Sequence, residues 1–190
     1  MQPSSGPGTS HISIIDGEGN ALAMTTTIEG AFGSHNWAAG FLLNNELTDF
    51  SFVPVDAAGA PAANAVGPGK RPRSSMAPTI VFDKGRHVAA VLGSPGGSRI
   101  ILYVLKTLVA LIDWGLDAQE AADLMNFGSQ GSGLELEPDW AAVPLALTLK
   151  PLGHSIVLAL MNSGIHIVMR RNGQLEGAAD ARREGAALGD

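Results

Sequence analysis

The sequence predicts a layered α+β domain, on three observations: strand pairs stand near both ends of the chain, two helical runs lie centrally, and no segment repeats. Residues 1–8 are mostly Pro, Ser and Gly with no apolar pattern and read as a flexible lead. His11-Ile12-Ser13-Ile14-Ile15 and the β-prone run 21–27 flank Asp16-Gly17-Glu18-Gly19-Asn20, a hairpin signal. A third strand is expected at Phe41-Leu42-Leu43-Asn44. Residues 52–73 are rich in Ala, Pro and Gly without either period, hence a long surface loop of the kind that is usually functional or disordered. Thr79-Ile80-Val81-Phe82 and the run 87–92, around Asp83-Lys84-Gly85, form a second hairpin. Apolar residues then recur at helical spacing to Trp114, with Gly115 as the stop. A second helix is expected over 117–125, N-capped by Asp117. An element of open type spans 139–149. Runs 155–160 and 166–171 are expected to make a closing hairpin, after which the tail frays. The reading is one domain, 9–190, behind the lead 1–8.

Composition limits the function classes. At 190 residues the chain has the size of one ordinary domain, and 45% apolar residues suffice for a core. Charged residues are 16%, against about a quarter in a typical soluble domain. That deficit is what a surface partly covered by a partner would show. A net charge of −6, with no basic cluster, argues against nucleic acid as a partner. Cysteine is absent, which removes disulfides and thiolate metal sites. The five histidines lack metal-ligand spacing, so no metal and no cofactor is expected. The longest apolar run, 100–105, stops at Lys106, far short of the ~18 residues of a membrane span. The lead has neither a charged nor an apolar region and is not a signal peptide. Export stays open, because a signal could lie upstream.

Two segments carry chemistry. In Gly6-Pro7-Gly8-Thr9-Ser10-His11, Thr9 opens a strand behind glycines. A threonine hydroxyl becomes nucleophilic when a base takes its proton, and one known solution uses the residue's own α-amine. An α-amine pKa of ~7.7–8.0 suits that task. The amine exists only if the Gly8–Thr9 bond is cut, and Gly8, without a Cβ, tolerates the distortion that attack by Thr9 on its carbonyl requires. A strand-opening threonine with a purely structural role fits the segment as well. In Gly93-Ser94-Pro95-Gly96-Gly97-Ser98-Arg99 a strand runs through glycines into a helix, which aims backbone N–H groups at one point. Without the spacing of phosphate loops this fits an oxyanion site, or a plain strand-to-helix turn.

Four segments in this order resemble the small subunit of the γ-glutamyltranspeptidase family: Thr9-Ser10-His11; Phe41-Leu42-Leu43-Asn44-Asn45 with Asp49-Phe50-Ser51; Lys70-Arg71-Pro72-Arg73-Ser74-Ser75-Met76-Ala77-Pro78-Thr79; and Gly93-Ser94-Pro95-Gly96-Gly97-Ser98-Arg99. The resemblance runs from Thr9 to the tail and is weakest over 126–162. It implies the αββα four-layer fold of N-terminal-nucleophile (Ntn) hydrolases, of which this chain supplies part of the two sheets and some flanking helices. It implies that Thr9 cuts its own precursor at Gly8–Thr9 and is then acylated by a γ-glutamyl group, with Thr27 orienting and activating it. Ser74 and Ser75 would hold the donor's α-carboxylate, Glu46 and Asp49 its ammonium, and the N–H groups of Gly96 and Gly97 the oxyanion. A zwitterionic donor needs such a set, since charge-assisted hydrogen bonds are the strong ones. His11 is implied to be structural. The donor would be glutathione-like, the acceptor water or an amine, and a large subunit of the same precursor would add an arginine on the carboxylate. A periplasmic or secreted location is suggested by the family.

The sequence departs from the family at several points. Glu29 stands where an asparagine usually helps hold the α-amino end, and beside Glu46 and Asp49 it adds charge. Segment 33–40 and loop 52–66 are short, and the loop lacks the tyrosine that often lids the site. Two rival readings follow: a related acylase of the glutaryl-cephalosporin type, and an unprocessed, non-catalytic fragment.

Overall fold

A computed structural model describes residues 8–189. In chain order its elements are β1 (Thr9–Ile15), β2 (Ala21–Thr27), β3 (Trp37–Ala38), β4 (Phe41–Leu42), β5 (Thr79–Phe82), β6 (Val88–Gly93), α1 (Ile100–Ile112), α2 (Ala118–Asp123), β7 (Phe127–Gly128), β8 (Leu134–Leu136), α3 (Ala142–Leu149), β9 (Ile156–Leu158), β10 (His166–Arg171) and β11 (Gln174–Ala179). Contacts divide them into two units. One holds residues 8–9 with Thr27–Ser75, the other Ser10–Thr26 with 76–189. Of the lead 1–8, all but Gly8 lies outside the described residues.

The larger unit is built on an antiparallel sheet of order β11-β10-β6-β5. Strand β6 lies inside it, and its successive residues bury both faces. Ala90 and Leu92 join Ile167 of β10 and Ala178 of β11 in a core completed by Ile100, Tyr103 and Val104 of α1 and by Ala118, Ala121 and Ala122 of α2. Gly93, of opposite parity, faces β1: a Cβ there would lie 2.2 Å from the His11 ring. Alternation along one strand thus separates a helical layer from the β1–β2 pair. His166 of β10, opposite Gly93 in register, donates from Nδ1 to the His11 carbonyl at 2.6 Å.

Local signals account for most of these elements. Asp16 closes the first hairpin by accepting the backbone N–H of Glu18 and of Asn20. Asp117 forms a capping box with Glu120. Helix α1 ends at Ile112, and Gly115 follows at φ +67°. The open element at 139–149 is helix α3. Loop 52–73 holds no helix or strand, only the bridges Ser51–Ala65 and Val55–Pro61.

Three expectations are corrected. The closing hairpin of 155–160 with 166–171 does not form, because β9 pairs in parallel with β8. The connection between them is instead core material, with Met161, Ser163 and Ile165 buried. The tail does not fray after 171: Asn172 and Gly173 take φ +52° and +81°, the left-handed pair of a tight hairpin turn, and β11 returns along β10. The strand expected at 41–44 shortens to two residues, paired with Trp37–Ala38 across left-handed Ala39 and Gly40.

Candidate active site

Within the smaller unit, Thr9 begins β1 and is buried, and its Oγ1 lies 2.8 Å from Oγ1 of Thr27 at the end of β2. Either hydroxyl can donate. The Glu29 N–H donates to Thr27 Oγ1 at 2.8 Å and fills one of its two acceptor positions. Thr27 is thereby oriented and keeps one lone pair and its own proton for Thr9. Ahead of Thr9, Gly8 continues the antiparallel pairing: its N–H donates to the Glu29 carbonyl at 3.1 Å, and its carbonyl accepts from Ile28 N–H at 3.0 Å. Gly8 also lies close against that neighbouring strand's continuation. A Cβ would lie 2.5 Å from Ile28 Cγ1. Close approach of the neighbouring segment requires the glycine.

The segment after Thr27 is bent tightly. Glu29, Phe32, His35 and Ala39 all have left-handed φ, which costs a side-chain-bearing residue energy and is met where a surrounding structure enforces it. Asn45 is one such constraint. Its Oδ1 accepts from Gly30 N–H at 2.8 Å, its Nδ2 donates to Glu29 Oε2 at 2.8 Å, and its backbone N–H reaches the Ile28 carbonyl. Glu46 and Asp49 sit on the single 3₁₀ turn that follows. Burial raises the pKa of Glu46, and the charges of Asp49 and Glu29 raise it further. Burial and then Glu29 raise Asp49, with Arg73 opposing. The three acidic side chains therefore share one electrostatic neighbourhood. Asn64 closes it: Nδ2 donates to the Asp49 carbonyl at 2.6 Å, and Oδ1 accepts from Arg73 N–H at 3.1 Å. Arg73 leads into Ser74, which is exposed, and Ser75, which is half-buried.

In the larger unit, β6 ends at Gly93, and Gly96 and Gly97 precede α1 through one 3₁₀ turn, Gly97–Arg99. Gly96 has φ +139° and Gly97 +62°, and a Cβ on Gly96 would lie 2.4 Å from Tyr103 Cε2. Only glycine fits there. Neither amide donates a hydrogen bond among the described residues, so both N–H groups remain available to an anion. His11 is held by Thr25 Oγ1 at 2.8 Å and Ser13 Oγ at 3.0 Å. Burial, with His166 adding to it, lowers its pKa to about 4, so at neutral pH it is an uncharged packing residue. No three His, Asp or Glu side chains among the described residues converge as a metal site.

The sequence reading gathered Thr9, Thr27, Glu29, Glu46, Asp49, Ser74 and Ser75, and all of these fall in the smaller unit, while Gly96 and Gly97 fall in the larger. No role was expected for Asn45, which ends the 41–45 segment of the resemblance, or for Asn64, whose only signal in sequence is a polar residue in a loop; their hydrogen bonds arrange the acidic residues.

Comparison with known proteins identifies the family and the fold. A family model described as Gamma-glutamyltranspeptidase matches residues 1–190. The chain is 42% identical over 186 residues to the glutathione hydrolase proenzyme of Escherichia coli strain K12, covering 92% of this chain and 31% of that protein. It is 36% identical over 186 residues to the glutathione hydrolase proenzyme of Bacillus subtilis strain 168, covering 95% of this chain and 30% of that one. It thus spans about a third of the length of these curated relatives. Among solved structures, a mutant γ-glutamyltranspeptidase of Helicobacter pylori superposes with TM-score 0.76 at 37% identity, over 91% of this chain and 99% of that one. A cephalosporin acylase from Bacillus halodurans gives TM-score 0.77 at 25% identity, over 90% of this chain and 32% of that one. The expected Ntn-hydrolase fold is therefore the observed one.

Proposed function

Because this chain belongs to the γ-glutamyltranspeptidase family, we propose that it carries the nucleophile and donor-binding residues of a γ-glutamyl acyl-transfer enzyme. The substrates would be a glutathione-like γ-glutamyl donor and a water or amine acceptor, and a large subunit of the same precursor would complete the enzyme. The observation that carries this reading is the Thr9–Thr27 hydroxyl pair, 2.8 Å apart, directly behind a glycine whose carbonyl already accepts a hydrogen bond.

In this reading Thr9 Oγ1 first attacks the Gly8 carbonyl, the peptide C–N bond breaks, and water releases an N-terminal Thr9. Its free amine then takes the hydroxyl proton as Oγ1 attacks the donor's γ-carbonyl carbon. The N–H groups of Gly96 and Gly97 hold the developing oxyanion. The amine returns the proton to the departing nitrogen, leaving an acyl ester on Thr9. Water or an acceptor amine attacks that ester and regenerates the hydroxyl. Ser74 and Ser75 hold the donor's α-carboxylate with the large subunit's arginine, and Glu29, Glu46 and Asp49 hold its ammonium.

Thr9→Ala in the full-length precursor tests the reading. It should abolish both cleavage at Gly8–Thr9 and turnover of a γ-glutamyl anilide. Persisting cleavage on a denaturing gel would overturn the role of Thr9, and an intact mass showing an uncut, inactive wild-type chain would favour the non-catalytic fragment. The acylase reading rests on Glu29 and on the cephalosporin acylase likeness. Comparing γ-glutamyl with glutaryl anilides separates the two, since only the former carries the ammonium that the acidic residues would bind.

A further inference from the structure

We propose that Ser94 is a positioning residue that aims and polarises the Gly96 N–H; this rests on the reading of Gly96 as an oxyanion donor. Ser94 is fully buried. Its hydroxyl accepts from Gly164 N–H at 3.1 Å and donates to the Pro95 carbonyl at 2.6 Å. Both the acceptor and the donor roles of the hydroxyl are thereby assigned, since a backbone N–H can only donate and a carbonyl can only accept. The Pro95 carbonyl belongs to the same peptide unit as the Gly96 nitrogen. That unit is planar and trans, so its N–H points opposite its C=O. Fixing the carbonyl on Ser94 therefore fixes the direction of the N–H. It also polarises the amide: withdrawing density at oxygen makes the N–H a stronger donor, the cooperative effect of hydrogen bonds in series.

A second set of contacts makes this hold rigid. A Cβ on Gly164 would lie 2.8 Å from Pro95 Cγ, so only glycine allows the backbone N–H to come up under Ser94. The segment bearing Gly164 is itself anchored in the core. Asn126 Nδ2 donates to the Met161 carbonyl at 3.2 Å and to Ser163 Oγ at 2.8 Å. Ser163 Oγ in turn donates to Asp180, and Lys106 Nζ holds Asn126 Oδ1 at 3.1 Å. On the other side, the Tyr103 ring lies against Gly96. The Pro95–Gly96 peptide is thus clamped between Tyr103 and a buried polar chain that ends on Ser94. A plain strand-to-helix turn has no need of this clamp, whereas a preorganised donor does, because its contribution depends on costing no reorganisation when charge develops.

The test uses the assembled, processed enzyme and two variants, Ser94→Ala and Ser94→Cys, the latter close in size to serine with a weak S–H donor. Ser94→Ala should lower kcat on a γ-glutamyl anilide at least about tenfold, short of the ~10²–10³-fold seen when an oxyanion donor is lost outright. KM should stay within about twofold, because an interaction made only in the transition state leaves ground-state binding alone. Ser94→Cys should fall between Ser94→Ala and the parent, and it decides the matter if Ser94→Ala fails to fold. The specific readout is inhibition by glutamate bearing a boronic acid in place of its γ-carboxyl, which becomes tetrahedral and anionic on Thr9. Its affinity should drop by the same factor as kcat/KM while that of glutamate itself holds. A parent enzyme that binds the boronate no better than glutamate overturns the oxyanion reading itself. Tight boronate binding that neither variant weakens, or a loss confined to KM, overturns the Ser94 proposal alone.

Discussion

At the scale of single residues, two positions connect geometry to rate. Thr27 Oγ1 is fixed by the Glu29 N–H and faces Thr9 at 2.8 Å. Thr27→Ala should keep the fold and slow turnover by about 10²-fold, the size of a lost proton-handling or orienting group, while Thr27→Ser should restore most of it. Unchanged steady-state kinetics in the alanine variant would remove Thr27 from the mechanism. Glu29 is one of the positions where the resemblance implies a different residue, an asparagine, and its φ of +66° is a conformation that asparagine tolerates better than glutamate. Glu29→Asn should therefore fold. Its electrostatic effect has a definite sign. Glu46 and Asp49 are raised first by burial, with the Glu29 charge adding to both. As pH falls through a raised pKa these groups become neutral and lose their attraction for the donor's ammonium. kcat/KM for a γ-glutamyl anilide should thus decline on the acid side, and Glu29→Asn should move that decline to lower pH. Superimposable profiles would place the Glu29 charge outside the donor's surroundings.

At the scale of elements, what could be read from sequence was whatever a local rule determines. The first hairpin was legible from the Asp16–Asn20 turn, and α2 from Asp117, because caps and turns act within a few residues. Those local energies are also measurable: Asp117→Ala removes the capping box with Glu120 and should cost about 1 kcal/mol, read as a lower urea midpoint at constant slope. The missed elements depend on pairing at a distance or are too short to show a period. Strands β7 and β8 have two and three residues, below the length at which alternation means anything. Run 156–158 is β-prone, but its partner is β8, some twenty residues earlier, and nothing local names it. The β10–β11 turn was different: Asn172-Gly173 is a strong hairpin signal, and the β-prone run before it was legible. The candidate site divides in the same way. Thr9, Ser74, Ser75, Gly96 and Gly97 received roles through motif resemblance, whereas Asn45 and Ser94, though within those motifs, and Asn64, outside them, make hydrogen bonds that only the folded chain shows.

At the scale of the whole molecule, two features concern the surface and the buried charges. Large apolar side chains such as Phe52, Trp140 and Leu160 are 86–88% exposed, which accords with the low charge content and with a covering partner as proposed. The interior instead carries an ionic network. Arg182 bonds Glu137, Asp180 and the carbonyls that end α2, and Lys106 Nζ bonds the Leu124 carbonyl at 2.8 Å and Asn126 Oδ1 at 3.1 Å. Burial, reinforced by Arg182, lowers the Lys106 pKa from its usual value to about 8, against the opposing charges of Asp180, Glu137 and Asp123. The unfolded chain, with lysine near 10.4, then holds more protons than the folded one above about pH 8. Stability follows the difference in bound protons, so this group favours the fold increasingly as pH rises through that window. Loss of the proton leaves both contacts intact, because a neutral amine still has two N–H donors for its two acceptors. Tyr103 works in the opposite direction above about pH 10, since burial pushes its pKa up to about 12 and the unfolded chain releases that proton first. The experiment is urea unfolding of the parent and of Lys106→Met from pH 7 to pH 10. The difference in stability should shift steadily in favour of the parent from about pH 8 upward. A difference that stays flat across that range would mean that Lys106 keeps its ordinary pKa in the folded protein.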